Sequence, residues 1–455
     1  MYKRQGNQEV TRTLSIRIDN LAPTSQAAIS GAPGAGGWYF QPVTVELTAA
    51  DDLSGVAGIR YRVNSGAWIT GTEIVLDTDG DYRLEFQAVD QAGNVEAAQA
   101  LRVPLDQTAP STSYQPDPRA ILGDNGWYRS VVTITLVPLD LTSGIANTFY
   151  RIDGANWQTS TQFVLNQEGE HVIEFYSVDA AGNVETPFPV TLKIDTQAPG
   201  TPAPPQTAPA SWTRDNSFSF IWSKPNDRSG IAGAYYKLGA PPTANQDGIF
   251  REMQVVDNIS VPAEGSYDLY LWLRDGAGNV DYRRAVRVAN AFRYDATAPQ
   301  TQAALNGFMG NNGWYISPVT VTLTATDTLA GVGSTPFRVD TSAWQTGTTA
   351  LLSGADKPTL TYLSTDLANN VESPHVQTVR IDPVAPGPPQ HVSVSPDGWS
   401  HLNNFAVAWT SPFDLSGIAG IHYKFDLAPV GPYDCLLYTS PSPRDRTRSR
   451  MPSSA

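Results

Sequence analysis

One short motif, Asp-x-x-Ala-Pro, recurs along the chain at intervals close to the length of a small domain. It occurs five times, with its aspartate at Asp19, Asp106, Asp195, Asp295 and Asp382. Successive copies are 87, 89, 100 and 87 residues apart. A period of this length indicates a tandem array in which each copy folds as its own unit and contacts mainly its neighbours.

Three further landmarks keep the same phase. A Gly-Trp-Tyr triplet occupies 37–39, 126–128 and 313–315. An aspartate precedes a Ser-Gly or Ala-Gly step once per copy, at Asp52, Asp140, Asp227, Asp327 and Asp414. An Asp-x-Ala-Gly-Asn motif, with one variant copy, spans Asp90–Asn94, Asp179–Asn183, Asp275–Asn279 and Asp366–Asn370. Because these landmarks share one period, we expect the same loops in every copy.

Between the landmarks, apolar and polar residues alternate. Val43, Val45 and Leu47 are separated by polar residues, and 82–88 and 101–105 repeat the pattern. This period of two predicts strands with one face on a core and one face in water. Turn residues separate the strands, and no segment has a helical period. The sequence therefore predicts an all-β protein, a linear array of immunoglobulin-like β-sandwich domains with about seven strands each in two antiparallel sheets.

The residues within the copies also carry a family resemblance. Residues 22–106, 109–195 and 298–382 resemble bacterial immunoglobulin-like surface repeats of the outer-membrane-protein "β-barrel" repeat type. The resemblance rests on Gly-Trp-Tyr, the strand at 44–49, Asp-Leu-Ser-Gly at 52–55, Tyr-Arg-Val at 61–63, Ala-Trp at 67–68 and the segment 90–96. Despite the label of that family, the polar outer strand faces predict sandwiches and not a barrel inserted in a membrane.

Two stretches, 199–295 and 387–434, are similar to a related but distinct immunoglobulin-like or fibronectin-like module. They share Ser-Gly-Ile-Ala-Gly at 229–233 and 416–420, with Trp222 and Trp409 expected on the second strand. The chain thus divides into repeat 1 (22–108), repeat 2 (109–197), repeat 3 (198–297), repeat 4 (298–384) and a truncated segment (385–434). The end of an earlier repeat (6–21) precedes them.

Both termini resemble translated sequencing-adapter DNA, as found at the ends of metagenomic reading frames. The matching strings are YKRQ at 2–5 and CLLYTSPSPRD at 435–445. We therefore exclude residues 1–5 and 435–455 from the reasoning about fold and function, and we expect the natural protein to continue beyond both ends. The alternative interpretation of the arginine-rich C-terminal run is a basic tail that contacts nucleic acid or membrane.

The composition limits the partners. The formal net charge is −14, and the only cysteine is Cys435, inside the adapter-like tail. An acidic chain repels nucleic acid and anionic lipid, and no apolar run reaches the roughly 18 residues of a membrane helix. We therefore expect a monomeric array on the cell surface or outside the cell, without a nucleic-acid partner and without membrane insertion. A cell-surface, matrix or polysaccharide ligand fits such an array.

The Asp-x-Ala-Gly-Asn motif is predicted to form a structural turn, because Asn and Gly tolerate positive φ and the aspartate can accept hydrogen bonds from its own backbone. The turn residues are Asp90, Asn94, Asp179, Asn183, Asp275, Asn279, Asp366 and Asn370. The stretch Asp77–Asp81 superficially resembles a calcium loop. It has Tyr82 where such a loop needs its glycine, so we interpret it as a hairpin turn.

The aspartates of Asp-x-x-Ala-Pro are the candidate metal ligands. They lie at the domain junctions, where carboxylate oxygens could hold Ca²⁺ and stiffen the array; they are Asp19, Asp106, Asp195, Asp295 and Asp382. Calcium takes six to eight oxygen ligands. One aspartate per junction is too few, so other loops, such as that of Asp51 and Asp52, must contribute. No other cofactor is expected.

Two tryptophans recur in the copies. They are Trp38, Trp127 and Trp314 at the domain entrance, and Trp68, Trp157 and Trp344 after the Tyr-Arg or Phe-Arg strand. Exposed coplanar rings would form a sugar platform, whereas recurrence in several copies favours packing. The arginines Arg62, Arg151 and Arg338 share one outward position and are predicted to pair with an acidic residue on a neighbouring strand.

Catalysis finds little support in the sequence. The five histidines share no repeat position, and none of the usual hydrolase, metalloprotease or phosphate-binding motifs occurs. We therefore expect no enzyme in this chain. The favoured hypothesis is a stalk, spacer or adhesive surface of a bacterial surface or secreted protein. The alternative is a set of accessory, carbohydrate-binding modules of a large secreted hydrolase whose catalytic domain lies outside this chain.

Overall fold

A computed structural model describes residues 18–424, residue 431 and the backbone of 436–438. Residues 1–5, most of 6–21 and most of 435–455 lie outside the described residues. The described part is built from short strands, with three 3₁₀ turns at Ala35–Gly37, Asp124–Gly126 and Tyr282–Arg284. Within it, no helix is long and apolar enough to cross a membrane.

Repeat 1 is a sandwich of a three-stranded and a four-stranded sheet. Its strands are β1 (Thr24–Ser30), β2 (Val43–Ala50), β3 (Val56–Val63), β4 (Ile69–Thr70), β5 (Glu73–Leu76), β6 (Gly80–Asp90) and β7 (Gln99–Leu105). The sheet orders are β1-β2-β5 and β4-β3-β6-β7. This is the predicted all-β, immunoglobulin-like sandwich of seven strands.

Repeat 2 has the same plan. Its strands are β8 (Ser111–Pro116), β9 (Trp127–Tyr128), β10 (Val132–Leu139), β11 (Ile145–Ile152), β12 (Gln158–Thr159), β13 (Gln162–Leu165), β14 (Gly169–Asp179) and β15 (Phe188–Ile194). The sheet orders are β8-β10-β13 and β12-β11-β14-β15-β9.

Repeat 3 also follows the plan, with a longer loop before its fourth strand. Its strands are β16 (Gln206–Ala208), β17 (Phe218–Ile221), β18 (Ile231–Leu238), β19 (Ile249–Arg251), β20 (Val255–Ile259), β21 (Gly265–Asp275) and β22 (Val286–Tyr294). The sheet orders are β16-β17-β20 and β19-β18-β21-β22.

Repeat 4 divides its strands into more pieces. They are β23 (Gln300–Asn306), β24 (Trp314–Tyr315), β25 (Val319–Thr326), β26 (Val332–Ser334), β27 (Pro336–Val339), β28 (Gln345–Thr346), β29 (Thr349–Leu352), β30 (Thr359–Tyr362), β31 (Thr365–Asp366), β32 (His375–Thr378) and β33 (Arg380–Ile381). The two main sheets are β23-β25-β29 and β28-β27-β30-β32.

The truncated segment contributes only two-stranded pairs. One pair is β34 (Gln390–Ser395) with β35 (Ala406–Thr410); in the other, β36 (Ile421–Tyr423) pairs with β37 (Leu436–Tyr438), which lies in the C-terminal tail beyond the segment. All six residues of β34 are exposed.

Each whole repeat has its own core, because the inward residues of its two sheets pack together. In repeat 1, Val43 and Val45 are fully buried, and Leu84 and Val103 face them from the other sheet. Repeats 2, 3 and 4 have separate clusters of buried residues in the same place. Strand alternation therefore predicted the buried faces correctly.

The structure corrects two details of the predicted topology. First, the sheets are not purely antiparallel: the Trp-Tyr segment β9 runs parallel to the last strand β15, and β24 runs parallel to β33. Second, Asp77–Asp81 is not a hairpin turn. It connects β5 in one sheet to β6 in the other, since β5 pairs with β2 and β6 with β3 and β7.

Candidate metal centre at the domain junctions

The aspartate of the Asp-x-x-Ala-Pro motif is called here the linker aspartate, and in repeats 1 to 4 it directly follows the last strand. The amide N–H of Asp106 donates to the carbonyl of Tyr39 in repeat 1, at 2.9 Å. Its carboxylate points the other way, into repeat 2, where Oδ2 accepts from the amide N–H of Ser143 at 3.0 Å. The linker aspartate therefore ties the end of one repeat to a loop of the next.

The loop that receives this carboxylate is closed by an aspartate of its own, called here the loop aspartate. In repeat 2, Oδ1 of Asp140 accepts from the amides of Thr142 and Gly144, at 3.1 and 2.7 Å. Gly144 has a φ of +81°, which the glycine adopts at little cost. The loop is thus preformed around a carboxylate, and it presents the Ser143 amide to the linker aspartate.

The Asp-x-Ala-Gly-Asn turn supplies a third carboxylate, that of the turn aspartate. Oδ1 of Asp179 accepts from the amides of Gly182 and Asn183, at 2.7 and 2.8 Å. The side-chain amide of Asn183 donates to Oδ2 of Asp179 and to the backbone carbonyl of Asp106, both at 2.8 Å. The turn asparagine therefore binds the linker backbone as well as its own turn.

These three elements bring three carboxylates together at four of the five junctions. In every cluster, one oxygen from each aspartate lies within 4.8 Å of the others; the clusters are Asp19–Asp51–Asp90, Asp106–Asp140–Asp179, Asp195–Asp227–Asp275 and Asp295–Asp327–Asp366. None of the ion pairs formed among the described residues involves these twelve aspartates. Each cluster thus concentrates negative charge without an ion-paired cation from the described part of the chain.

Burial raises the free energy of the ionised carboxylates, because they lose hydration by water. Asp106 and Asp295 are completely buried. The pKa of Asp227 is raised to about 6, first by burial and then by the charges of Asp195 and Asp275. Burial is also the main cause that raises the pKa of Asp106 and of Asp295, and a neighbouring aspartate adds to it in each case. In the second, third and fourth clusters, a bound cation would offset this cost.

The first and fifth junctions differ from the other three. Hydrogen bonds from Ser54 and Leu21 hold the pKa of Asp19 below its usual value. At the fifth junction, the amide of Ser416 donates to Oδ2 of Asp382 at 3.0 Å and to Oδ1 of Asp414 at 3.1 Å. The described residues of the truncated segment supply no third carboxylate there.

The donor set suits Ca²⁺. Carboxylate oxygens are the hard ligands that this ion prefers, and three carboxylates offer up to six of them, although several already accept hydrogen bonds. Oδ2 of Asp140 accepts none of the hydrogen bonds found among the described residues. The arrangement can therefore hold a divalent cation by its carboxylates, with backbone carbonyls or water completing the shell.

Sequence reasoning identified only part of this site. It named the linker aspartates as metal candidates and assigned the turn aspartates to the turn alone, whereas the structure brings both into one cluster. It also named the loop of Asp51 and Asp52 as a further source of ligands and aligned Asp52 with the loop aspartates, whereas Asp51 is the residue that joins the cluster. The signal was present, because Asp51 stands four residues before Gly55, as Asp140 stands four before Gly144.

A second contact crosses the junctions beside the carboxylates. The amide of Ala35 in repeat 1 donates to the carbonyl of Ala181 in the turn of repeat 2, at 3.0 Å. The amide of Asp124 in repeat 2 donates to the carbonyl of Ala277 in repeat 3, at 2.9 Å. In repeats 1 and 2, the loop before the Trp-Tyr segment thus docks on the turn of the following repeat.

Glycine is required where this loop approaches the turn. A Cβ on Gly34 would lie 2.3 Å from the carbonyl oxygen of Ala181, and one on Gly123 would lie 2.2 Å from that of Ala277. Side-chain contacts strengthen the second of these junctions: Arg129 donates to Asn279 at 3.0 Å, and Arg274 forms an ion pair with Asp124. Neighbouring repeats are therefore in direct contact on both sides of the linker.

In repeat 3, the sequence analysis missed the counterpart of Gly-Trp-Tyr. Thr213, which follows Trp212, forms a parallel bridge with Tyr294, and its carbonyl accepts from the amide of the linker aspartate Asp295. No Gly-Trp-Tyr triplet marks the place, so only the position of Trp212 relative to the linker could have revealed it.

The tryptophans occupy two kinds of position. Trp127 and Trp314 are buried, whereas Trp38 is half-buried beside Arg102. Trp68, Trp157 and Trp344, the second set, each lie under an arginine guanidinium. The guanidinium carbon is 4.9 Å from the ring centroid in repeat 1, 4.6 Å in repeat 2 and 4.9 Å in repeat 4. Packing accounts for most of the rings; Trp344, which is 44% exposed, is the exception.

No protein family and no curated protein matches the sequence. Solved structures similar to the chain include an ICAM-5 D1–D4 ectodomain fragment, with 11% identity, a TM-score of 0.35, and coverage of 79% of this chain and 100% of that one. They also include chicken CNTN1 FN1–FN3 domains, with 12% identity, a TM-score of 0.22, and coverage of 59% of this chain and 99% of that one. A third is a set of fibronectin(III)-like modules of Clostridium thermocellum CbhA, with 17% identity, a TM-score of 0.20, and coverage of 37% and 95%. At these identities, no ligand or activity is transferred to this chain.

Proposed function

We propose that the chain is a non-catalytic spacer or stalk region of a bacterial surface or secreted protein, and that Ca²⁺ at the junctions fixes the orientation of successive repeats. The observation that carries this proposal is the recurrence of one three-carboxylate cluster at four successive junctions. We expect such a recurrence where function depends on the relative orientation of neighbouring repeats more than on a site within one repeat.

The charge at the clusters favours a cation over an empty site. Three carboxylates within 4.8 Å repel one another, and the buried ones have lost most of their hydration. A divalent ion removes the repulsion and draws together oxygens from the linker and from two loops of the following repeat. Extracellular calcium concentrations suit sites of moderate affinity, with Kd of about 10⁻⁴ to 10⁻³ M.

Calorimetric titration of the full chain with CaCl₂ tests the proposal. We expect about four Ca²⁺ per chain, one for each cluster. The variant Asp140→Asn keeps a hydrogen-bond acceptor for the loop amides but removes one negative charge from the second cluster, so it should bind one ion fewer. An exposed aspartate outside the clusters, Asp257, supplies the matched control Asp257→Asn. If the chain binds no calcium at millimolar concentration, the proposal is contradicted, and only hydrogen-bonded contacts hold the junctions.

Among the four whole repeats, the alternative, accessory modules of a secreted hydrolase, has its support in repeat 4. The exposed ring of Trp344 is the one tryptophan of the second set with the surface that a sugar-binding module needs. The spacer function and a ligand site on one repeat are compatible, since they use different surfaces.

A further inference from the structure

Repeats 1 and 2 neutralise the arginine on the outer face of their larger sheet with a glutamate directly across from it. Nε of Arg62 lies 2.5 Å from Oε2 of Glu85. Nε and Nη2 of Arg151 donate to the two carboxylate oxygens of Glu174, at 2.6 and 2.9 Å. In both repeats the guanidinium also covers the ring of a tryptophan, so the cation has an internal anion and an aromatic support.

Repeat 4 keeps the arginine and the tryptophan but has lost the acid. Arg338 lies over Trp344, with 4.9 Å from the guanidinium carbon to the ring centroid. The residue across from it on β30 is Thr361, in the register that pairs Arg62 with Glu85. Nε of Arg338 is buried and has no hydrogen-bond partner among the described residues. Such an unpaired buried donor is uncommon in folded proteins and calls for an explanation.

The surroundings of Arg338 carry hydroxyl groups and no acidic side chain in the paired strand positions. Thr361 pairs with Val376, and Thr359 pairs with Thr378. Since Thr361 lies across from Arg338, these side chains share its face of the sheet. Trp344 is 44% exposed, so part of its ring is open to solvent. This surface therefore presents three features side by side: the unpaired cation of Arg338, the partly exposed ring of Trp344, and hydroxyl groups such as that of Thr361.

We propose that this surface of repeat 4 binds a carboxylate-bearing sugar, such as a uronic acid unit of an acidic polysaccharide. The sugar carboxylate takes the place of the missing glutamate and accepts hydrogen bonds from Arg338. The pyranose ring packs on the open part of Trp344, and sugar hydroxyls bond to Thr361. An acidic peptide offers the carboxylate, but it lacks the flat hydroxyl-bearing ring that fits the rest of the surface.

Calorimetry on the full chain tests this proposal, with an oligogalacturonate as the ligand and a maltooligosaccharide of equal length as the neutral comparison. EDTA is present throughout, so that Ca²⁺ cannot bridge the ligand to the junction carboxylates. We expect binding of the uronate only, and a weakening of about tenfold or more in Arg338→Gln, since a charge-assisted hydrogen bond is lost.

Two variants separate binding from folding. Thr361→Glu restores the cross-strand pair of repeats 1 and 2, so it should abolish binding while thermal stability is kept or raised. Arg62→Gln, at the equivalent place in repeat 1, should leave the affinity unchanged. The proposal is overturned if the neutral oligosaccharide binds as well as the uronate, if a glutamate peptide binds as tightly, or if Thr361→Glu retains wild-type affinity.

Discussion

The side-chain amide of Asn183, in repeat 2, donates to the backbone carbonyl of Asp106 at the end of repeat 1, at a distance of 2.8 Å. The same nitrogen donates to Oδ2 of Asp179, also at 2.8 Å. One amide thus satisfies a linker carbonyl and a turn carboxylate, and equivalent bonds recur at the other three clusters through Asn94, Asn279 and Asn370.

Replacing this asparagine should weaken both the turn and the junction. Asn183→Ala leaves the Asp106 carbonyl and one Asp179 oxygen without their donor, so we expect repeat 2 to lose about 2 kcal/mol of unfolding free energy. Urea denaturation measures the loss. The control Asn147→Ala removes an exposed amide of β11 in the same repeat and should stay within about 0.5 kcal/mol. Equal stability of the two variants would contradict the role assigned to Asn183.

Calcium-free stability should depend on pH through Asp227. Its pKa is about 6 in the folded chain against 3.8 for the free side chain. A group whose pKa is raised by folding stabilises the protein fully below its unfolded pKa, and that stability is lost as the pH rises through the folded value. We therefore expect repeat 3 to become less stable between about pH 4 and pH 6 in EDTA.

The variant Asp227→Asn should flatten this pH dependence and raise the calcium-free stability at pH 7, because it removes one of three clustered charges. Thermal melts across the pH range, with and without calcium, give the comparison. A wild-type chain whose stability in EDTA rises from pH 4 to pH 6 would contradict the repulsion inferred among Asp195, Asp227 and Asp275.

The close approach of Gly123 to repeat 3 makes a separate prediction. Gly123→Ala places a methyl group where only 2.2 Å separates it from the carbonyl oxygen of Ala277, so the docked loop must move away. Repeat 2 should still fold, while a protease of broad specificity such as proteinase K should cut faster around 197–199, between repeats 2 and 3. The control Gly200→Ala, where no atom lies within 4 Å, should leave the cleavage rate unchanged. Equal cleavage of both variants would show that this contact does not order the linker.

The truncated segment should be the first part of the chain to be degraded. Its strands β34 and β35 form a two-stranded sheet in which Val392 and Val394 are exposed, and no second sheet covers that face among the described residues. Limited proteolysis followed by mass spectrometry should yield a resistant core that ends near 382. Uniform resistance up to 424 would contradict this expectation.

The sequence was sufficient to predict the array of β-sandwich domains, because each copy repeats the same local patterns for strands and turns. Alternation at Val43, Val45 and Leu47 marks a buried strand face, and the Asp-x-x-Ala-Pro period marks the domain length. Parallel pairing of β9 with β15 escaped prediction, because these two-residue pairs depend on how the chain crosses between sheets and leave no periodicity.

The candidate site was predicted only in part for a related physical reason. Asp106, Asp140 and Asp179 are more than 30 residues apart from one another, and only the sandwich topology brings their loops to the same end of a repeat. A turn motif such as Asp179–Asn183 explains its own aspartate locally, so nothing in the sequence pointed to a second role. The choice between Asp51 and Asp52 required the geometry of the loop.

The most direct test of calcium-fixed junctions is the distance distribution between repeats 2 and 3. Cys435 is first replaced by serine, and spin labels are then attached at the exposed positions Gln162 and Asp257. Pulsed electron spin resonance on the full chain should give a narrow distribution of label-to-label distances in millimolar calcium and a broader one in EDTA. In Asp227→Asn, the distribution should stay broad when calcium is added. A distribution that is equally narrow with and without calcium would contradict the account, because hydrogen bonds alone would then hold the junction.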